Sequence, residues 1–225
     1  MIVAISGYAG SGKDEVASIM NDIDPTWTTR KFAGKLKVIA SMLTGIPESS
    51  FENQLFKDSE MSSEWDRSFY HGEKGWIKRP MNVREFLQLL GTDAIRTGLH
   101  HNTWVNSLMS EYVHVKTIKV NGTFNIDTLD EDNIMKELKK FVTIVDEYPN
   151  WVITDCRFKN EAEAVKLKGG FIVRVNRPGV NPINNHDSEV ELDNYHFDYV
   201  INNDGSLYDL RNKVKALIDH ISQHK

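Results

Sequence analysis

The fold is decided by the start of the chain, Ile2-Val3-Ala4-Ile5-Ser6-Gly7-Tyr8-Ala9-Gly10-Ser11-Gly12-Lys13-Asp14. Its four leading apolar residues predict a short strand that is buried on both faces of a parallel sheet. A glycine-rich turn follows at once, and apolar residues then recur at near-helical spacing from Lys13 to about Asn21. This order of strand, tight loop and helix predicts the first half of a β-α-β unit.

The turn itself, Gly7 to Lys13, fits the pattern G-x-x-x-x-G-K of a phosphate-binding loop. Its glycines let successive backbone N–H groups converge on phosphate oxygens, and Lys13 reaches the terminal phosphates. The spacing alone arises by chance in about one chain in fifteen of this length, so an ordinary glycine turn is the alternative. The position between a buried strand and a helix favours nucleotide binding, with Gly7, Gly10, Ser11, Gly12 and Lys13 as the binding residues.

Asp14 stands where a phosphate-binding loop normally carries a Ser or Thr that offers its hydroxyl to Mg²⁺. A carboxylate is also a hard oxygen ligand, so Asp14 is predicted to hold Mg²⁺ directly or through the water shell of the ion. The alternative is a favourable acidic residue in the first turn of a helix.

Strands and helices alternate along the rest of the chain, which predicts one three-layer α/β domain over residues 1–225 with a mostly parallel sheet covered on both faces. The predicted strands are 2–5, a weak one at 28–33, 151–154, 171–175 and 199–201. One predicted helix carries Leu36, Ile39, Ala40 and Leu43 and ends at Gly45 and Pro47. The others cover 83–90 up to Gly91, begin near Asn102, cover 130–148 and 161–167, and end the chain after a Ser206 cap.

Two segments depart from this alternation of strands and helices. Residues 48–80 carry no clean period and are predicted to be an irregular acceptor-side excursion that closes over the site as a lid. Residues 115–148 are predicted to be a variable insertion, in which strands 115–120 and 123–126 form a β-hairpin arm around the turn Asn121-Gly122.

Composition restricts the class of protein further. The 225 residues carry a net charge of −5 and a single cysteine, Cys156, which excludes an intrachain disulfide and a cysteine-based zinc cluster. An acidic total argues against loose adhesion to DNA, so no stable nucleic-acid partner is expected. No apolar run reaches the roughly 18 residues of a membrane span, and no signal peptide is recognised, so a cytoplasmic location is expected.

Several further blocks carry a resemblance to a known family. They are Phe32-Ala33-Gly34-Lys35-Leu36-Lys37, Val83-Arg84-Glu85-Phe86-Leu87-Gln88-Leu89-Leu90-Gly91-Thr92-Asp93, Trp104-Val105, Thr154-Asp155-Cys156-Arg157-Phe158-Lys159-Asn160-Glu161, Arg177-Pro178-Gly179, His186-Asp187-Ser188-Glu189 and Asn203-Asp204-Gly205-Ser206. Together with the phosphate-binding loop, they resemble the deoxynucleoside monophosphate kinase family typical of tailed bacteriophages. The resemblance implies a P-loop kinase that transfers the γ-phosphoryl group of ATP to a deoxynucleoside 5′-monophosphate with Mg²⁺, in the host cytoplasm if the protein is phage-encoded.

Positions within these blocks imply roles for individual side chains. Lys37 and Arg84 are the candidates for the acceptor phosphate, and Arg157 is expected near the phosphates. Asp155, at the end of a strand, is expected to orient Mg²⁺ or a water molecule. The remaining candidates are Arg177 on the adenine or phosphate side, and Asp93 and Trp104 on the substrate side, although burial in the core is the alternative for Trp104.

Other functions remain open from the sequence. One alternative is a P-loop kinase for another phosphorylated small molecule, and another is a regulator or nucleic-acid-binding module that binds nucleotide without transfer. An acceptor phosphate is already ionised at pH 7, so the absence of a Ser/His/Asp arrangement counts against none of the kinase hypotheses. The accepted bases, a homodimeric state and the roles of His186 to Glu189 are not fixed by the sequence.

Overall fold

A computed structural model describes residues 1–120, 142–183 and 186–224. At its centre lies a five-stranded sheet with the order β2-β7-β1-β8-β9, and all of its neighbouring strands are parallel. The strands are β1 (Ile2–Ser6), β2 (Trp27–Arg30), β7 (Asn150–Ile153), β8 (Phe171–Asn176) and β9 (Tyr199–Asn202). The predicted parallel α/β sheet is confirmed.

Helices cover both faces of this sheet, as the sequence predicts. On one face, α1 (Lys13–Ile23) and α8 (Leu207–Gln223) pack against Val3 and Ile5 of β1 and against β8. On the other face, α5 (Thr103–Met109) and α6 (Lys159–Leu167) cover Ile2 and Ala4. The alternate residues of β1 therefore enter two different cores, which explains why the strand is apolar without interruption.

A third, smaller core lies on the acceptor side of the predicted site. It is formed by Ala40 of α2 (Gly34–Thr44), by Phe51 of a 3₁₀ turn (Glu48–Glu52), and by Val83 and Phe86 of α4 (Val83–Gln88). The four-residue helix α3 (Gln54–Lys57) lies between that turn and the rest of the excursion. Residues 48–80 thus contribute apolar side chains to a core and are not uniformly irregular.

The irregular structure predicted for residues 48–80 is wrong over 67–79. Strands β3 (Arg67–His71) and β4 (Gly75–Arg79) form an antiparallel hairpin in which Tyr70 lies opposite Trp76. Most of this hairpin is exposed on both faces, so it lacks the alternation of apolar and polar residues by which a strand is recognised. None of the residues 67–79 lines the cavity at the candidate site. The closing of this segment over the site as a lid remains a prediction.

The predicted helix end at Gly91 is also wrong. After α4 the chain continues as a π-helix, Leu89–Thr97. Gly91 is needed there for close packing, because a Cβ at this position would lie 2.9 Å from Leu36 Cδ2. Its carbonyl oxygen also accepts a hydrogen bond of 2.9 Å from Trp104 Nε1.

The insertion differs from the predicted hairpin. Strand β5 (Val115–Val120) pairs with β6 (Val142–Glu147) in antiparallel register, so the helix predicted over 130–148 is wrong for its last residues. The run Val142-Thr143-Ile144-Val145 is rich in β-branched residues, which favour strands. The turn Asn121-Gly122, the strand predicted at 123–126 and residues 130–141 lie outside the described residues.

The remaining element is the four-residue helix α7 (Asp187–Val190). The final helix begins at the predicted cap, where Ser206 Oγ accepts a hydrogen bond from the Asp209 amide. Among the described residues, no helix combines the length and the apolar character that crossing a bilayer requires.

The turn between α6 and β8 yields a prediction about stability. A Cβ at Gly170 would lie 2.8 Å from the carbonyl oxygen of Ile2 and 2.6 Å from Val165 Cγ1. We expect Gly170→Ala to lower the free energy of unfolding by about 1–3 kcal/mol, because the central strand would have to move. Urea denaturation measures this, with Gly72→Ala as the control because its added methyl group meets open space. Equal stability of the two variants would contradict the packing described here.

Candidate functional site

The site lies at the carboxyl edge of the sheet, where the chain leaves β1 and β7. Parallel pairing of Ile2 with Trp151 and of Ala4 with Ile153 brings the ends of these two strands side by side. The phosphate-binding loop follows β1, and Asp155 to Arg157 follow β7. Ligands of open α/β sheets bind at this edge.

A cavity of about 330 Å³ opens there between the loop, the π-helix and the acceptor-side core. Among the described residues, its lining includes the cationic side chains Lys13, Lys31, Lys37, Lys57, Arg84, Arg96 and Arg157 and the acidic side chains Asp14, Glu52, Asp155, Glu161 and Glu189. Cations in this number within one cavity fit a strongly anionic ligand.

The loop is held open by backbone conformations that favour glycine. Gly7, Gly10 and Gly12 all have positive φ angles, and a Cβ at Gly7 would lie 2.5 Å from the carbonyl oxygen of Val175. Asn203 fastens the loop to the end of β9, since its Nδ2 donates to the carbonyl oxygen of Ser11 over 2.9 Å. Ser11 Oγ is buried and makes no hydrogen bond within the described structure.

Lys13 lies folded against its own loop. Its Nζ donates to the carbonyl oxygens of Gly7, at 2.6 Å, and of Tyr8, at 2.7 Å. Burial and the nearby Arg157 guanidinium lower the pKa of Lys13 to about 8, although Asp14 and Glu189 oppose the shift. An anionic ligand would therefore compete with two carbonyl groups for this ammonium group and would raise its affinity for the proton.

Asp14 and Asp155 differ in how they could hold a metal ion. The Asp14 side chain is 77% exposed, lines the cavity and has Lys31 Nζ at 3.8 Å. Asp155 accepts hydrogen bonds on both carboxylate oxygens, from the amides of Phe32 at 2.7 Å and Ala33 at 3.0 Å. Burial raises the pKa of Asp155, against the lowering effect of those two amides. The geometry gives Asp155 the role of fastening the loop between β2 and α2.

Mg²⁺ is implied by a phosphate-binding loop, and the oxygen donors of this cavity fit a hard cation only in part. Among the described residues, no group of three or more His, Cys, Asp or Glu side chains is arranged to hold a metal ion. A cation here would have to take most of its ligands from phosphate oxygens and water, with Asp14 as the accessible carboxylate.

The predicted acceptor residues line the same cavity from α2 and α4, which form its predicted acceptor wall, and each has a carboxylate partner. Lys37 forms an ion pair with Glu52. Arg84 donates from Nε and Nη2 to Asp58 Oδ1, at 3.0 and 2.7 Å. Similarly, Arg157 on the loop side donates to Glu189 Oε1 at 2.6 Å.

Three other predicted residues lie differently. Trp104 is buried and lines the cavity with part of its surface, while its indole N–H is bound to Gly91. Asp93 is exposed on the π-helix and is absent from the cavity lining. Arg177 is also absent from it, and its Nη1 lies 3.5 Å from the carbonyl oxygen of Gly10 in the loop.

A buried ion pair that sequence reasoning missed joins the π-helix to α6 beside the cavity. Arg96, on the π-helix, pairs with Glu161 of α6, and each residue is only 3% exposed. The guanidinium carbon of Arg96 lies 3.5 Å from the centre of the Phe158 ring, and Asn160 Oδ1 accepts from its Nη1 at 2.8 Å. Asn160 and Glu161 stand in one resembling block of the sequence, but no pattern indicated their partner on the π-helix.

Glu161 also positions Arg157. Its Oε2 accepts hydrogen bonds from the backbone amides of Arg157, at 2.8 Å, and Phe158, at 3.2 Å. Burial and the Asp155 carboxylate raise the pKa of Glu161 to about 7, and Arg96 and the two amides pull it down. The buried Glu161 carboxylate therefore holds the backbone from which the Arg157 side chain extends.

Comparison with known proteins agrees with these features. A family model described as deoxynucleotide monophosphate kinase matches residues 122–214. The chain resembles kinases of deoxynucleotide monophosphates. A protein of Acanthamoeba polyphaga mimivirus, provisionally named as such a kinase, is 25% identical over 99% of this chain and 98% of its own length. These matches confirm the resemblance predicted from the sequence and, with it, the prediction of a phosphotransferase enzyme.

Two phage enzymes named deoxynucleotide monophosphate kinase match a part of the chain. The enzyme of Enterobacteria phage T4 is 29% identical over 62% of this chain, and that of Escherichia phage RB69 is 25% identical over 63%. The matched segments span 46% and 47% of those two enzymes. Among solved structures, a dephospho-CoA kinase from Campylobacter jejuni has a TM-score of 0.45 and 12% identity, over 99% of this chain and 97% of its own.

The buried ion pair yields a prediction. We expect Glu161→Gln to lower the free energy of unfolding by roughly 3 kcal/mol, because it leaves the buried Arg96 guanidinium without its counter-charge. Glu163→Gln, an exposed position on the same helix, is the matched control and should change stability by less than about 0.5 kcal/mol. Chemical denaturation at pH 8 compares the two variants. A Glu161→Gln variant as stable as the control would show that the pair contributes nothing.

Proposed function

We propose that the protein transfers the γ-phosphoryl group of ATP to a deoxynucleoside 5′-monophosphate and releases ADP and a deoxynucleoside diphosphate. The observation that carries this proposal is that one cavity is lined both by the phosphate-binding loop with Lys13 and by Lys37 and Arg84 of α2 and α4. A donor and an acceptor together bring about six negative charges into the site. Cations on the loop and on these two helices are what such a pair of ligands requires.

In this proposal the loop amides and Lys13 hold the triphosphate, and Arg177 lies beside the loop at the carbonyl oxygen of Gly10. Lys37 and Arg84 hold the acceptor phosphate. Arg157, whose backbone is fixed by Glu161, leaves Glu189 to meet the charge that develops between the two ligands. Catalysis then rests on positioning and charge neutralisation, because the acceptor oxygen is already ionised.

Asp14 is the proposed protein contact of Mg²⁺, which neutralises phosphate charge when it is bound. The role proposed for Asp155 differs from the one that the sequence predicts. By holding the amides of Phe32 and Ala33, it positions the start of α2 and therefore Lys37, and it is proposed as a positioning residue and not as a metal ligand. Trp104 supports the substrate side from the core, and the exposed Asp93 has no proposed contact.

The proposal predicts the effect of removing the loop lysine. We expect Lys13→Ala to lower kcat/KM by about 10²–10³ while the variant stays folded, because a preorganised cation is lost. ADP release is measured with ATP, Mg²⁺ and each of the four common deoxynucleoside monophosphates. Lys215→Ala, an exposed position on α8, is the control. Turnover of Lys13→Ala equal to that of the parent would contradict the mechanism.

A second prediction concerns pH. The free Lys13 ammonium group has a pKa of about 8, and only its charged form binds the triphosphate, so the affinity for ATP should fall as pH rises through 8. Between pH 7 and pH 9 the dissociation constant of ATP should rise about tenfold.

Calorimetry of ATP binding at these two pH values tests the sign. Lys13→Arg keeps its charge over the whole range and should lose most of this pH dependence. If the parent and Lys13→Arg change equally, another group carries the effect and the assignment to Lys13 is wrong.

A further inference from the structure

The acceptor wall of the cavity holds more cationic side chains than the two that the sequence identifies. Lys31 and Lys57 line the same cavity as Lys37 and Arg84. The carboxylate of Glu52 lies among them: it is paired with Lys37, and its Oε2 lies 3.6 Å from Lys31 Nζ. Lys37 and Lys31 therefore lie within 4 Å of this carboxylate, and the charge of Lys57 also acts on it.

Lys57 is the cation of this group that lacks a close partner. Within the part of the chain that the structure describes, its ammonium group makes no ion pair and no side-chain hydrogen bond. Burial lowers the pKa of Lys57, the charges of Lys37 and Arg84 lower it further, and Glu52 opposes the shift. A half-buried ammonium group beside other cations is stabilised by an anion that reaches it from the cavity.

Glu52 behaves as an anion that a ligand can displace. Burial opposes its ionisation, but the hydrogen bond and the charge of Lys37 outweigh that effect and hold its pKa below the ordinary value. Its side chain is 53% exposed, whereas that of Lys37 is 16% exposed. The carboxylate can therefore turn toward solvent while the lysine stays at the wall.

We propose that Lys57 is a further ligand of the acceptor phosphate and that Glu52 holds the place of that phosphate in the free enzyme. This inference rests on the proposed function. A phosphate dianion has three terminal oxygens and two charges, so it can contact Lys37, Lys57 and Arg84 together. In the free enzyme, by contrast, Glu52 pairs with Lys37, and Arg84 pairs with Asp58. Binding of the acceptor then replaces the Glu52 carboxylate at Lys37 by a phosphate group, which also gives Lys57 the close counter-charge that it lacks among the described residues of the free enzyme.

The two residues give effects of opposite sign in equilibrium binding. Calorimetry without ATP measures the dissociation constants of dGMP and dTMP, one purine and one pyrimidine acceptor. Lys57→Gln should raise the dissociation constant about tenfold, and Lys57→Arg should restore it to within about threefold. Glu52→Gln should lower the dissociation constant, because the phosphate no longer competes with a carboxylate.

The control is Lys74→Gln, in the exposed turn of the β3–β4 hairpin, which should leave the dissociation constant unchanged. The dissociation constant of ATP is measured for every variant and should stay within twofold of the parent. A Lys57→Gln variant that binds the acceptor like the parent, or that weakens ATP and acceptor equally, would overturn the role of Lys57. Weaker acceptor binding by Glu52→Gln, with a lower melting temperature, would make Glu52 a structural residue instead.

Failure of the proposed function gives a different result. A parent protein that binds dGMP or dTMP but transfers no phosphoryl group contradicts the kinase reaction, and the comparison of dissociation constants still decides the role of Lys57. A parent that binds neither compound overturns both proposals.

Discussion

The site depends on the parallel pairing of β1 with β7. This register places the phosphate-binding loop beside Asp155 to Arg157, because the carboxyl ends of parallel strands meet at one edge. Asp155 then extends the arrangement to the next strand by holding the two amides that precede α2. In this way, three loops that are distant in sequence are fixed around one cavity, and the helix that carries Lys37 begins at a defined point.

The second constraint is electrostatic. Cations gathered for an anionic ligand repel one another while the ligand is absent, and each of them costs free energy when it is buried. The chain offsets this cost with a carboxylate paired to each of three cations: Glu52 with Lys37, Asp58 with Arg84 and Glu189 with Arg157. The pair of Arg96 and Glu161 differs, because both members are buried and Glu161 fixes the backbone of Arg157. In the proposed function, the first three pairs exchange with ligand, whereas the pair of Arg96 and Glu161 holds the site together.

The sequence was sufficient for the sheet and for the loop, because both leave local signals. An unbroken apolar run such as Ile2 to Ile5 predicts a doubly buried strand, and the glycines of the loop are required by backbone conformation. What it missed depends on contacts between distant residues. Gly91 resembles a helix end but packs against Leu36 within a π-helix. The exposed β3–β4 hairpin lacks a buried face. The strand that pairs with β5 lies beyond residue 141. Likewise, Asp155 could be placed at a strand end, but its two amide partners could not.

The central claim is that donor and acceptor phosphates occupy one cavity at the same time, the donor at the phosphate-binding loop and the acceptor at Lys37 and Arg84. Its most direct test is the affinity for a bisubstrate analogue in which adenosine and deoxythymidine are joined through five phosphates. We expect calorimetry to give a dissociation constant for this compound at least about 10²-fold below that of ATP. The reason is that one molecule then contacts Lys13 and the acceptor residues Lys37 and Arg84 together. Affinity no better than that for ATP, and unchanged by Arg84→Gln, would contradict it.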